Sequence, residues 1–223
     1  MLLTMSACLG SVMMPRASHL IAENREDEFN RLIQKSYDFT LAIALPMTIG
    51  LIFCAPSLIT ALCGVKFEHS ILPSQIIAPI ILMVAISNVF GIQVLFPKGK
   101  INIVTLCCGI GAVADLILNL CLIPFFSYIG TSIAYLGAEV ATTVSMYFIG
   151  RKYIPIIYFK KSHLTYVLGC IVMAFALYGL SLLQLPTLTI LLLQGCCGVL
   201  AYFIILCICK DEMLVQILSK IKR

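Results

Sequence analysis

The sequence predicts an all-α integral membrane protein, a polytopic helical bundle, and three observations support this fold class. Hydrophobic residues make up 61% of the 223 residues and charged residues only 11%, whereas soluble domains have about 45–50% apolar and about 25% charged residues. The apolar residues form long uninterrupted runs, and a membrane-spanning helix needs about 20 such residues. These runs lack the polar and apolar alternation of membrane β-barrel strands.

Six runs are long enough to be full transmembrane spans. In chain order they are Leu41–Cys63, Ile71–Phe96, Ile101–Ile123, Ile129–Gly150, Leu164–Leu183 and Thr187–Cys209. Together they predict a six-span membrane domain over residues 41–209. Residues 1–14 are apolar but too short to cross a bilayer, and they lack the basic start of a signal peptide. We therefore expect these residues to be the tail of a transmembrane helix, so that the chain begins partway through a span, as a fragment or the product of a broken reading frame would.

The distribution of basic residues predicts the orientation of the spans. If residues 15–40 form a cytoplasmic amphipathic loop and residues 210–223 a basic cytoplasmic tail, only Lys66 of the 15 basic residues falls on the outer side. Lysine and arginine in short loops set membrane topology in this way. Arg16 then lies at the cytoplasmic edge of the first helix. The positive charge indicates attraction to a lipid bilayer with anionic headgroups rather than binding to nucleic acid.

No pattern of catalytic or metal-binding residues is found in the sequence. The 11 cysteines include adjacent pairs inside spans, and none has the C-x-x-C spacing of a zinc or redox site. We interpret them as small packing residues in lipid. No nucleophile and base pair, phosphate-binding glycine loop or H-E-x-x-H pattern is present. We therefore expect no enzyme activity, no catalytic residue, no metal and no cofactor.

Two acidic residues inside predicted spans are the candidate functional residues. Asp115 lies eight residues before the outer end of its span, and Glu139 lies ten residues after the outer start of the next. Because a helix rises about 1.5 Å per residue, the two lie at similar depth on neighbouring helices. Asn119 follows Asp115 by one turn and shares its face. We expect one hydrated cavity for cation or proton coupling, with Asn119 as a supporting ligand.

A second interpretation assigns both acids to helix packing. A protonated Asp115 could donate an interhelical hydrogen bond, and Glu139 is flanked by small residues that permit close helix contact. No lysine or arginine lies at this depth in the sequence. The acids would then have to be protonated, hydrated, or paired with a group supplied from outside this chain.

The sequence resembles the second half of a polysaccharide or O-antigen flippase, of the multidrug/oligosaccharidyl-lipid/polysaccharide superfamily. The similarity is carried by "SVMMPRASHL", "KSYDFTLAIALPMTIGLIFCAPSLITALCG", "ILPSQIIAPIILMVAISNVFGIQVLFPKGK" and "ILNLCLIPFFSYIGTSIAYLGAE". The resemblance implies a two-lobe helical fold with a central cavity, of which this chain would be the second lobe. Two positions depart from the pattern: Asp115 replaces an asparagine and Ser127 replaces a glycine.

The resemblance also implies a function. Such proteins move lipid-linked oligosaccharide for cell-surface polysaccharide by alternating access, in the plasma membrane of bacteria. The expected partners are this lipid-linked substrate and a missing N-terminal lobe or a second chain. Two alternatives remain: an ion-coupled drug or metabolite antiporter of the same fold, and a truncated remnant that does not transport.

Overall fold

The computed structural model describes residues 13–156, 160–183 and 186–209. The predicted partial helix over residues 1–14, apart from its last two residues, and the basic tail over residues 210–223 lie outside the described residues. The elements, in chain order, are α1 (residues 13–22), α2 (Glu26–Cys63), a 3-10 helix (Val65–Ser70), α3 (Ile71–Ile77), α4 (Ile80–Asn88), a π-helix (Val89–Leu95), α5 (Ile101–Gly150), α6 (Lys161–Ser181) and α7 (Thr187–Ile208).

The described residues are helical throughout, apart from short turns and connections, and no strand is found among them. Five helical segments are long and apolar enough to cross a membrane: Glu26–Cys63, Val65–Leu95, Ile101–Gly150, Ser162–Ser181 and Thr187–Ile208. This confirms the all-helical membrane fold class. The count is one lower than the six predicted spans because α5 contains two of them.

Helix α5 doubles back on itself at Ser127. The backbone of Ser127 has φ 50° and ψ −127°, which is not helical, so α5 consists of a first arm (residues 101–126) and a second arm (residues 128–150). A β-carbon added to Gly130 would lie 2.6 Å from the carbonyl oxygen of Leu122. One added to Gly137 would lie 2.6 Å from Leu118 Cδ1. The two arms are therefore an antiparallel hairpin in close contact, joined by one residue instead of the predicted loop.

Residues 15–40, predicted as a cytoplasmic amphipathic loop, comprise most of α1, a short turn and the start of α2. Helix α2 continues from Glu26 into the predicted span without a break. Its apolar face is buried in protein, since Phe29 and Ile33 are 0% exposed and Tyr37 stacks on Phe90 with ring centroids 6.4 Å apart. The apolar face of this amphipathic segment therefore packs on protein.

The chain divides into two compact units. The first comprises Met1–Ala44 and Pro79–Tyr158, and the second comprises Leu45–Ala78 and Phe159–Arg223. In the first unit, α4 and the π-helix pack against α5, and Thr143 Oγ1 lies 3.2 Å from the carbonyl oxygen of Met83. In the second unit, α6 packs along α7, and Gly169 lies against the ring of Tyr202.

Candidate functional site

The first unit contains a cleft of about 450 Å³ between α4, the π-helix and the two arms of α5. Its polar and sulfur-containing wall residues are Ser87, Asn88, Cys108, Asp115, Tyr135, Glu139, Thr142 and Met146. The remaining wall residues are small or aliphatic. Two carboxylates and no lysine or arginine occur in this wall, all of which lies in the described part of the chain.

The hairpin in α5 brings Asp115 and Glu139 to the same cleft. Gly111, one turn before Asp115, lies where an added β-carbon would overlap Thr142 Oγ1 and come 3.3 Å from the carbonyl oxygen of Ala138. Only glycine allows the arms to approach this closely at that level. The close approach places Asp115 on the first arm beside the turn of the second arm that carries Glu139.

Asp115 is held in an unusual environment for a carboxylate. Its Oδ1 atom is buried and has no hydrogen-bond partner among the described residues. A buried, unpartnered carboxylate oxygen is costly, and more so within a membrane. This atom therefore retains lone pairs that could accept a hydrogen bond or contact a cation.

Asn119 is positioned differently from the sequence expectation. Its Nδ2 atom donates a hydrogen bond of 2.9 Å to the backbone carbonyl of Asp115, and its Oδ1 atom is buried with no partner in the described part of the chain. The structure does not bring Asn119 into the cleft wall with Asp115 and Glu139. Arg16 lies on α1, where it is exposed, and it is likewise absent from the wall.

The hydroxyl groups near Glu139 bond to backbone carbonyls. Thr142 Oγ1 donates to the carbonyl of Ala138 at 3.0 Å, and Thr143 Oγ1 donates to that of Glu139 at 2.8 Å. These bonds occupy the hydroxyl protons but leave oxygen lone pairs. The cleft can therefore present carboxylate, amide and hydroxyl oxygens, which are the donors that hard cations prefer.

Ser87 and Asn88 are wall residues that sequence reasoning missed. They lie at the end of α4, directly before the π-helix, and Ser87 Oγ donates to the carbonyl of Val84 at 3.0 Å. The signal in the sequence was a polar pair inside an otherwise apolar span. π-Helical segments occur frequently at functional sites, and here the π-helix contributes Gly91 and Ile92 to the same wall.

No group of three or more histidine, cysteine, aspartate or glutamate residues arranged for a metal ion occurs in the described ranges. The cleft has two carboxylates and one thiol at Cys108. An ion bound here would depend mainly on oxygen atoms.

The chain matches a family model over most of its length. Residues 4–194 match the family described as "Lipid II flippase MurJ". The chain belongs to this family. The expectation of a flippase from the multidrug/oligosaccharidyl-lipid/polysaccharide superfamily is thereby confirmed at the superfamily level, although the matching family is that of lipid II flippases. The family consists of multi-pass membrane transporters rather than enzymes.

Two individual proteins are similar to the chain. An uncharacterized membrane protein of Methanocaldococcus jannaschii is 28% identical over 141 residues, which cover 63% of this chain and 26% of that protein. A solved structure of lipid II flippase MurJ in an inward closed conformation has a TM-score of 0.79 and 17% identity. The match covers 94% of this chain and 45% of the solved chain. The structural similarity shows the MurJ fold, and this chain spans less than half of either relative's length.

Proposed function

We propose that this chain is part of a flippase that moves a lipid-linked polar headgroup across a plasma membrane by alternating access. The observation that carries the proposal is the match of residues 4–194 to the lipid II flippase MurJ family. Translocation of this kind needs no covalent chemistry. It needs a polar interior that can open to each side in turn.

Lipid II is the first substrate to test, because the matching family is defined by it. Lipid-linked oligosaccharide units for O-antigen or capsule are the second, because they are the substrates of the polysaccharide flippases that the sequence resembles. Both consist of a large polar headgroup on a pyrophosphate and a long lipid. The bacterial plasma membrane is the expected location for either substrate.

The cleft supports a proposal for energy coupling. Asp115 and Glu139 share a wall in which no lysine or arginine of the described residues compensates their charge. A monovalent cation or a proton would provide the missing positive charge. Asn119 would support the site indirectly, because its side chain donates a hydrogen bond to the backbone carbonyl of Asp115. Arg16 would lie at the cytoplasmic edge of the protein.

The remainder of the transport pathway would come from another lobe or chain. The chain spans 45% of the solved MurJ chain it resembles. The expected partner is therefore an N-terminal lobe or a second chain that completes the central cavity. An exposed cavity-lining face is unfavourable in hydrocarbon.

Transport can be tested in proteoliposomes that contain the protein and fluorescent lipid II. An impermeant quencher reports the fraction of lipid II in the outer leaflet over time. We expect protein-dependent movement of lipid II that slows when Asp115→Asn and Glu139→Gln are combined. Glu68→Gln serves as the control, because Glu68 is exposed on the 3-10 helix and lies outside the cleft.

The same assay separates the alternatives. Movement of lipid-linked oligosaccharide but not of lipid II would favour the polysaccharide flippase. Ion-dependent uptake of small cationic dyes without lipid movement would favour the antiporter. No movement of any substrate, with or without a co-expressed partner lobe, would favour the remnant that does not transport and would contradict the proposal.

A further inference from the structure

Two basic segments of the first unit are held together around Tyr153. Lys98 Nζ donates a hydrogen bond of 3.0 Å to the backbone carbonyl of Tyr153, and Lys100 Nζ lies 5.1 Å from the centroid of the Tyr153 ring. Lys98 Nζ also lies 5.1 Å from the ring centroid of Phe29, which is 0% exposed. Gly99, between the lysines, has φ 67°, a left-handed conformation that glycine adopts without strain.

These contacts concentrate positive charge at one end of the α5 hairpin. Lys98 and Lys100 directly precede the first arm, and Arg151 and Lys152 directly follow the second arm. We call these four residues and Tyr153 the Tyr153 surface. The ion pairs of the described residues lie elsewhere, at His19, Glu23, Arg25 and Glu28.

The ammonium and guanidinium groups of this surface retain hydrogen-bonding capacity. Lysine has three N–H donors and arginine has five, and the Tyr153 carbonyl accepts one donor of Lys98. The aromatic rings stabilise a positive charge without neutralising it. A phosphate group would complement several of these donors at once.

Exposed apolar side chains adjoin the basic residues on the helices themselves. Ile101 is 49% exposed at the start of the first arm, and Phe148 is 60% exposed near the end of the second arm. A free phosphate ion would make no use of such side chains. A phospholipid would use both parts, since its phosphate would meet the basic residues while its acyl chains cover the apolar ones.

We propose that the Tyr153 surface is a binding site for the phosphate of an anionic phospholipid headgroup. This differs from the general attraction of cytoplasmic basic residues to a membrane, because it assigns the binding to four particular residues, of which Lys98 and Lys100 contact Tyr153. It is also independent of the transported substrate, so it could hold even if lipid II were not the cargo.

The test uses the purified protein in a neutral detergent, titrated with dioctanoyl phosphatidylglycerol while the melting temperature is recorded. We expect a saturable rise in melting temperature, and a smaller rise with dioctanoyl phosphatidylcholine, which has the same acyl chains but no net charge. Lys98→Gln and Lys100→Gln should each raise the half-saturating lipid concentration about fivefold, because each basic residue near a membrane surface contributes a similar increment of binding.

Matched variants distinguish this site from diffuse attraction. Lys35→Gln removes an exposed charge of α2 outside the Tyr153 surface and should leave the titration unchanged. Lys100→Arg keeps the charge and the ring contact and should retain binding. Tyr153→Phe should also retain binding, whereas Tyr153→Leu should weaken it. Melting without lipid shows that each variant is folded.

Three results would overturn the proposal. In the first, Lys35→Gln weakens binding as much as Lys100→Gln, which would mean diffuse attraction. In the second, inorganic phosphate at the same concentration raises the melting temperature equally, which would mean a free-anion site. In the third, the Lys98→Gln and Lys100→Gln double variant titrates like the unchanged protein.

Discussion

The α5 hairpin and the pair formed by α6 and α7 are both antiparallel or adjacent helices in close contact at glycines, but the contacts differ in kind. In both, a glycine lies at a close helix contact. In α5, Gly130 lies against the backbone of Leu122. In α7, a β-carbon added to Gly198 would lie 3.3 Å from the side chains of Leu177 and Met173. In α5 the contact at Gly130 is with backbone, which cannot move aside. In α7 the contacts are with flexible side chains.

The polar residues of the two regions also differ. The arms of α5 carry Asp115 and Glu139 on the wall of a cleft. Helix α7 carries Gln194, which is 1% exposed and has no hydrogen-bond partner for either amide atom among the described residues. Polar residues that face a cleft can meet ions or water, whereas a buried and unpartnered amide mainly reduces stability. The two regions therefore differ in whether their polar residues line a cleft or are enclosed by packed helices.

The largest expected effect comes from a substitution that disrupts the close contact between the α5 arms. Gly130→Ala places a β-carbon 2.6 Å from the Leu122 carbonyl oxygen, so the arms must separate. We expect a loss of about 2–3 kcal/mol in the free energy of unfolding, the usual cost of overpacking. Thermal melts in detergent measure it.

The control for this prediction is Gly195→Ala in α7, where nothing lies within 4 Å of an added β-carbon. That variant should be unchanged or slightly more stable, because alanine has the higher helix propensity. Equal losses in both variants would mean that the two regions do not differ in how tightly their glycines are packed.

The next effect concerns the charges of the cleft. Glu139→Gln removes one of its two carboxylates, and fewer carboxylates bind a cation more weakly. If the cleft binds a cation, sodium should raise the melting temperature in a saturable way. In Glu139→Gln we expect the half-saturating sodium concentration to increase about tenfold, which corresponds to a loss of about 1.4 kcal/mol in binding free energy. Gln194→Leu should leave this titration unchanged, and a similar shift in that variant would show that the response does not arise in the cleft.

A smaller effect is expected from Gln194 itself. Gln194→Leu replaces a buried unpartnered amide with an apolar side chain of similar size, so we expect a gain of about 1 kcal/mol. Gln75→Leu is the matched control in the same unit, because Gln75 Nε2 donates a hydrogen bond of 2.9 Å to the Ile52 carbonyl. That variant should lose about 0.5–1.5 kcal/mol. Destabilisation by Gln194→Leu would show that its amide has a partner in the native protein.

The spans could be predicted from the sequence, but the contacts between them could not. The length of the apolar runs predicted the spans, because the thickness of the hydrocarbon layer requires such runs whatever the tertiary packing. The one-residue joint at Ser127 could not be predicted, because a serine with positive φ is rare. The predicted spans left residues 124–128 as the connection. What covers the apolar face of the segment after Glu26 could not be predicted either, because its contact with the ring of Phe90 joins residues distant in the sequence.

The candidate site could be predicted only in part. Asp115 and Glu139 were conspicuous because carboxylates are rare in spans. The contribution of Ser87 and Asn88 depends on α4 packing against α5, a contact that no local pattern encodes. Asn119 was expected in the cavity from helical spacing alone, but its amide instead bonds to the backbone one turn back.

The smallest effect concerns the joint of the α5 hairpin. Ser127 has φ 50°, a conformation that costs energy in a residue with a β-carbon and none in glycine. We expect Ser127→Gly to raise the free energy of unfolding by about 0.5–1 kcal/mol, the balance of relieved strain against the greater freedom of glycine in the unfolded chain. Ser127→Val should lower it, since a β-branched residue tolerates positive φ least.

Asn24 provides the internal comparison for Ser127, because it also has positive φ, at 56°, in the turn after α1. Asparagine adopts this region more readily than serine, so Asn24→Gly should change stability by a few tenths of a kcal/mol at most. If Ser127→Gly behaves like Asn24→Gly, the joint carries no strain. The close approach of the arms at Gly111 and Gly130 would then be sufficient to fix the hairpin, and with it the position of Asp115 and Glu139 in the wall of one cleft.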